Sequence, residues 1–427
     1  MKKILIHTAI IALFASCQSN QSPDKEKADK NDFSFTVEQA PEWTNLLKRH
    51  HGWFGGDGIF AFTRNGNEKN GAAASSETMI WFSDTMLGDI DNDSLQPGYV
   101  MINNSVALLP NGKPDSNAIR FYWDSAGGKA KSIFIPQTPA TGPRDYYWLG
   151  DGFVNQEKNN DMYIFGYRIY NIPEKKVFGF KEAGNTLIVI PAGQQPPFKQ
   201  QRQLDIPFFL GRDVDSTGSF GAGILVNTKE AGAPSPDGYV YVYGCRGSIK
   251  QVLTARVKPA SIEAFDQWEF WKGDGWSRNV QEIKPVADSA SNELSVSPLE
   301  DGRYIMVFQR GGLSRKVAVR IGESPVGPFG PAMDIYDVSE DLKGSDQLFP
   351  YNAKAHPVLS APGELLISYN INSFDFDNDI KKLPNLYRPR FIRLKYKISK
   401  KSKVKNTVPP VGGDLEGSTP HKTLNAT

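Results

Sequence analysis

Three features of the sequence predict an all-β fold, a five-bladed β-propeller with four-stranded antiparallel blades around a central channel. The first is composition: 39 Gly, 29 Pro, 25 Phe, 16 Tyr and 8 Trp in 427 residues suit strands built on aromatic side chains and punctuated by turns. The second is periodicity, because runs of alternating hydrophobicity separated by turn residues recur about every 60 to 80 residues. The third is that each recurrence opens with a similar hairpin, and there are five such hairpins.

The first hairpin runs Asp57-Gly58-Ile59-Phe60-Ala61-Phe62, then a polar turn, then Met79-Ile80-Trp81-Phe82-Ser83-Asp84-Thr85. The second pairs Asp151-Gly152-Phe153-Val154 with Met162 to Arg168 across Asn159-Asn160. The third uses Gly221 to Asn227, the turn Pro236-Asp237-Gly238, and Tyr239 to Arg246. A fourth joins Glu293 to Ser297 with Arg303 to Arg310 through Glu300-Asp301-Gly302, and a fifth joins His356 to Ser360 with Glu364 to Asn370 through Pro362-Gly363. Segments such as Val252 to Val257 and Lys316 to Ile321 supply outer strands.

A chain that leaves along one strand and returns along the next brings the opening and closing residues of a hairpin to the same end. That rule collects Asp57, Asp84, Asp151, Arg168, Arg246, Glu293, Arg310, His356 and Asn370 on one rim of the channel. Asp is depleted in strands, so acids that recur where inner strands open are the main functional signal.

The N-terminus reads as a secretory leader ending in a lipobox. Lys2 and Lys3 precede the apolar run Ile4 to Ala15, and Leu13-Phe14-Ala15-Ser16-Cys17 follows. The run is too short for a bilayer, which needs roughly 20 apolar residues. Residues 1–17 are therefore a lipoprotein signal with lipidated Cys17, 18–34 a polar disordered tether, 35–397 the propeller and 398–427 a disordered tail. An outer-membrane-associated lipoprotein is expected, periplasmic or at the cell surface, monomeric, and held to the membrane by its lipid alone.

Lys plus Arg at 49 against Asp plus Glu at 47 leaves no field for nucleic acid. Cys245 has no second protein thiol to pair with once Cys17 carries lipid, and it reads as a small buried residue. Asp89 to Asp93 and Asp375 to Asp379 begin like calcium loops, but Ser94 and Ile380 replace the sixth-position glycine and Val100 and Leu386 replace the closing glutamate. A looser structural calcium stays open. No Walker loop, nucleophile elbow, dinucleotide fingerprint or zinc motif occurs, so no cofactor and no catalytic metal are expected.

Gly55-Gly56-Asp57-Gly58 with Trp81-Phe82-Ser83-Asp84-Thr85, Asn292-Glu293-Leu294-Ser295-Val296, and Tyr351-Asn352-Ala353-Lys354-Ala355-His356-Pro357 resemble the bacterial five-bladed propellers of the domain-of-unknown-function 4185 and 5005 type. The resemblance spans about Trp53 to Lys397. It implies a fold shared with arabinanase-like propeller glycoside hydrolases, in which acids around the channel mouth carry catalysis. Carried over, it puts Asp57 and Asp84 first, with Ser83 standing where relatives commonly have glycine.

Glycosidic cleavage needs one protonated and one ionised carboxyl, and clustered carboxylates can divide those states. Asp57, Asp84, Glu293 and Asp151 are the catalytic candidates. Asp57 between glycines also suits a simple turn, Asp84 a side-chain turn onto Thr85, and Asp151 the structural acid of a repeat. Trp53, Trp148, Arg168, Arg310, His356 and Asn370 are candidates for sugar binding, against packing between blades for the aromatic residues and a satisfied core position for His356. The functional expectation is a glycoside hydrolase acting on a glycan, with a furanoside such as arabinan favoured. The alternatives are a non-catalytic glycan-binding lipoprotein and a protein-interaction propeller, the last requiring an apolar exposed rim.

Overall fold

The computed structural model describes residues 33–174, 178–208 and 219–398. Ser34–Ile398 form one compact unit. Cys17, nearly all of the tether and nearly all of the C-terminal tail lie outside the described residues. Strand structure begins inside the stretch read as tether, at Phe33–Gln39.

The main strands fall into five successive groups among the described residues. In the first, His51–Gly56 and Phe60–Thr63 pair with Thr85–Asp91 and Glu77–Phe82, and Val100–Ile102 and Ser105–Pro110 follow outside them. Breaks at 57–59, 83–84 and 103–104 divide this group into two sheets. They stay stitched together, because the Asp57 N–H donates to the Asp84 carbonyl (3.2 Å) and the Ser83 N–H to that of Asp57 (2.8 Å).

The second group is Tyr146–Asn155, Asp161–Asn171, Phe180–Ile190 and Arg202–Ile206, and the third begins with Ser219–Asn227, Tyr239–Arg246 and Gln251–Val257. The fourth is Leu294–Pro298, Tyr304–Gln309, Lys316–Gly322 and Met333–Asp337. In the fifth, Leu348–Ala355, Glu364–Ser373 and Arg390–Ile398 are joined at the outer edge by Phe33–Gln39, so the first and last described strands share a sheet.

The first strand of each group packs on the first strand of the next, and the fifth group returns to the first. There the Gly56 N–H donates to the Tyr387 carbonyl (2.7 Å) and Asn370 Nδ2 to the Gly56 carbonyl (3.3 Å). Strand side chains alternate between faces, and here both faces are covered. Met79 and Trp81 enter the core facing the second group while Ile80 and Phe82 enter the core shared with the fifth. Tyr163 and Phe165 likewise face the third group, and Met162 and Ile164 the first. The core is thus a set of apolar slabs between neighbouring sheets, which is why these strands read as nearly continuous hydrophobic runs.

Four of the first strands bulge, and Asp151 stands in one of the bulges. Register shifts fall at Trp53/Gly55, Leu149/Gly152, Phe220/Gly223 and Tyr351/Lys354. A bulge leaves one residue unpaired and re-aims it. Glycine lets adjacent groups meet backbone to backbone: a Cβ on Gly150 would stand 2.6 Å from the Gly221 carbonyl oxygen.

Two sequence boundaries move. The second inner strand starts at Tyr146, so Asp151 sits inside it and Arg168 pairs with Tyr147. The fifth starts at Leu348, and His356 follows its end, ahead of a 3-10 turn at Pro357–Leu359.

Candidate active site

A cavity of about 830 Å³ opens beside these bulges, lined by Asp57, Asp84, Trp148, Glu182, Glu293 and Tyr351 among others. Its size falls in the usual range of about 300–1,000 Å³ for small-ligand sites. Aromatic rings form one wall. Trp148 meets Tyr146 and Phe180 with ring centroids 6.1 and 4.6 Å apart, and Phe178, Phe180 and Phe349 continue the surface.

Asp57 and Asp84 face each other across the first hairpin on backbone that is hydrogen-bonded together. Their environments differ. Tyr351 donates its phenol to Asp57 Oδ2 at 2.7 Å, and the Tyr387 phenol is a second donor. Asp84 Oδ1 accepts from the Asn103 amide at 3.1 Å. Burial pushes the Asp57 carboxyl above its ordinary range, with the two phenols and the Lys354 charge acting against it. Asp84 is pushed up to about 7, first by burial and then by the Asp57 charge, with Asn103 and the Trp148 indole opposing. Two coupled carboxyls of this kind do not ionise together. The two phenol donors and the Lys354 charge favour the anion at Asp57, while the Asp57 charge favours the protonated form at Asp84.

Glu293 comes from the fourth group and is buried. It pairs with the Lys354 ammonium, and its Oε1 accepts from Asn352 Nδ2 at 2.7 Å. Burial lifts it to about 7 against the pull of Lys354.

Asp151 lines a separate cavity of about 70 Å³ together with Glu68, Lys354 and His356. Its oxygens accept from the backbone N–H of Gly152 (2.8 Å) and of Ile224 in the third group (2.7 Å). Burial raises it to about 7 and raises Glu68 to about 8, the latter aided by the Asp151 charge.

The remaining predicted residues scatter. Trp148 and Arg246 line the large cavity. Trp53 is buried in the core, stacked on Phe121 at 4.6 Å. Arg168 is buried in ion pairs with Asp145 (3.3 Å) and Asp205 (3.7 Å). Arg310 pairs with Asp334. His356 bonds Ser368 through Nε2 at 2.7 Å, and burial holds it down to about 3. Asn370 ties the fifth group to Gly56. Among the described residues no three His, Cys, Asp or Glu side chains converge as metal ligands.

Sequence reasoning missed Glu182, whose carboxyl accepts from Ser219 (2.7 Å) and Asn185 (3.2 Å) on the cavity wall and is raised by burial to about 7. It passed over Tyr351, Asn352 and Lys354 as site residues.

A family model described as a domain of unknown function (DUF5005) matches residues 41–397. The chain belongs to this family. A crystal structure of a Bacteroides ovatus protein proposed to be a hydrolase is similar, with a TM-score of 0.66 at 21% identity over 84% of this chain and 90% of that one. The α-L-arabinofuranosidase PaAbf62A of Podospora anserina, solved with cellotriose, aligns with a TM-score of 0.43 at 10% identity over 86% and 97% of the two chains. A protein of Bifidobacterium bifidum assigned as an exo-β-1,3-galactanase aligns with a TM-score of 0.43 at 9% identity over 83% and 98%. No curated protein matches the chain. Among the described residues of this DUF5005 chain, the carboxyls that line the large cavity are Asp57, Asp84, Glu182 and Glu293.

Proposed function

We propose that the five strand groups are the blades of a five-bladed propeller and that this DUF5005 chain is a glycoside hydrolase, with an arabinan-like furanoside glycan as substrate. The observation that carries the reading is the unequal pair of Asp57, clamped by two phenols, and Asp84, raised to about 7 beside it. Asp84 gives its proton to the leaving glycosidic oxygen as the C–O bond breaks. Asp57 serves the anomeric carbon, as nucleophile or through an activated water. Glu293 accepts hydrogen bonds from sugar hydroxyls, and the Trp148 wall takes a sugar face. No cofactor enters these steps.

The full chain, incubated with arabinans, galactans and host-type glycans, should release reducing oligosaccharides from at least one. Glycan binding without product from any of them would replace the hydrolase with a glycan-binding lipoprotein. Neither binding nor product would leave a protein-interaction propeller. The leader supports the further proposal that Cys17 carries lipid at the outer membrane and that the protein acts there as a monomer. Labelled fatty acid should enter the wild-type chain in its host and not the Cys17→Ser chain.

A further inference from the structure

Lys354 is a lysine with only 1% of its surface exposed. A buried ammonium is tolerated only when paired, and the partners of Lys354 lie at the junction of the two cavities. Its Nζ pairs with Glu293 Oε2, donates to the Asn352 carbonyl at 3.3 Å, and lies 4.4 Å from the centroid of the Phe60 ring. Lys354 itself lines the small cavity with Asp151, Glu68 and His356, whereas Glu293 lines the large one. The ion pair is therefore part of the partition between them.

We propose that Lys354 is a positioning residue: its ammonium fixes the Glu293 carboxyl at the edge of the large cavity and keeps it available as a carboxylate to accept hydrogen bonds from glycan hydroxyls. The glycan part of this rests on the hydrolase reading; the Lys354–Glu293 part does not. Among the described residues, the charged and titratable groups around Glu293 are Lys354 and Tyr351 from the fifth group, Asp57 from the first, Asp151 and Tyr167 from the second, and Lys250, whose ammonium bonds the adjacent Asn292 at 2.8 Å on the same cavity wall. Of these, Lys354 is the cation that pairs with Glu293 directly, and Asp57 and Asp151 both disfavour its ionised form.

The test is the full chain with Lys354→Met, compared with Lys354→Arg and with Lys354→Met/Glu293→Gln. Carboxyl carbon NMR without ligand should show the Glu293 midpoint rising by about 1–3 pH units in Lys354→Met and staying near the wild-type value in Lys354→Arg. An unmoved midpoint in Lys354→Met overturns the proposal. With arabino-oligosaccharide as probe, KM at pH 7 should rise at least about fivefold in Lys354→Met, the loss of ionised Glu293 that a one-unit rise from about 7 gives, and recover as pH is raised. The double variant should have a KM independent of pH.

A merely structural lysine would weaken KM equally at all pH values, which also overturns the proposal. Where methionine is not tolerated at 354, Lys354→Gln removes the charge and keeps a donor, with the same expected shift. A shifted Glu293 whose KM stays flat with pH would overturn its contact with glycan hydroxyls. Failure of the hydrolase reading instead leaves the carboxyl titration standing.

Discussion

Gly56-Asp57-Gly58 in the first strand group and Gly150-Asp151-Gly152 in the second are the same tripeptide, the first at the break between two strands and the second at a bulge within one. The two aspartates nevertheless sit in different chemistry. Asp151 is satisfied by two backbone N–H groups, one of them from the third group, and looks onto 70 Å³. Asp57 is held by tyrosine phenols from the first strand of the fifth group and from the connection leading to its strand Arg390–Ile398, and looks onto 830 Å³. A repeat places an acid; the neighbouring sheet decides what the acid does. Backbone donors lock a carboxylate into the bulge, whereas phenols at the edge of a cavity leave it in contact with whatever enters.

The largest effect expected from this contrast is on turnover. Asn in place of Asp keeps the shape and removes proton transfer or nucleophilicity, and general acid–base steps supply about 10²–10⁴-fold. Asp57→Asn and Asp84→Asn should each lose at least that much of kcat while retaining wild-type circular dichroism, and Asp151→Asn should lose far less. Equal losses at Asp57 and Asp151, measured on a confirmed substrate, would erase the distinction. The next effect is on stability and runs the other way. Asp151→Ala strands the N–H groups of Gly152 and Ile224, and each unmet buried donor costs about 1–3 kcal/mol. Urea unfolding should therefore show a lower midpoint for Asp151→Ala than for Asp57→Ala.

Much of this was legible in the sequence because the strands are covered on both faces. Runs such as Met79-Ile80-Trp81-Phe82 and Met162 to Phe165 send alternate side chains into two cores, so they stand out from the Gly- and Asn-rich turns. The fifth hairpin was misplaced for a local reason. Pro350 lies inside the true first strand, where proline argues against a strand, while Val358 and Leu359 mimic one although they belong to a 3-10 turn. Arg168 was set beside Asp151 because Asp151 was read as opening the strand, whereas the strand opens five residues earlier at Tyr146 and Arg168 pairs with Tyr147. Hairpin counting put Asp57, Asp84 and Glu293 on one rim, and all three line the large cavity together with Trp148, which was read separately as an aromatic sugar-binding candidate. Tyr351 could not be placed there by counting, because it reaches Asp57 from 294 residues away, and Glu182 is silent in sequence because its partner Ser219 lies in another sheet.

The smallest effect separates the two aspartates most cleanly, because it reads charge rather than activity. A neighbouring anion disfavours ionisation, so removing it lowers a carboxyl's midpoint. Asp84 sits at about 7 partly because of the Asp57 charge, and Glu68 at about 8 partly because of the Asp151 charge, while Glu293 feels both. Asp57→Asn should then lower the Asp84 midpoint and leave Glu68 alone; Asp151→Asn should lower Glu68 and leave Asp84 alone; Glu293 should fall in both. Shifts of about one unit, or roughly 1.4 kcal/mol, are expected. Stability follows the same sign. A carboxyl whose folded midpoint is raised binds its proton more tightly in the folded chain, so the stability Asp84 contributes is complete below its ordinary 3.8 and is lost as pH rises through about 7. Asp57→Asn moves the upper end of that window down, so the part of the alkaline stability loss due to Asp84 becomes smaller. Carboxyl carbon NMR of the two variants decides it: an Asp84 midpoint that responds to Asp151 as strongly as to Asp57 would show the two cavities to be one electrostatic site.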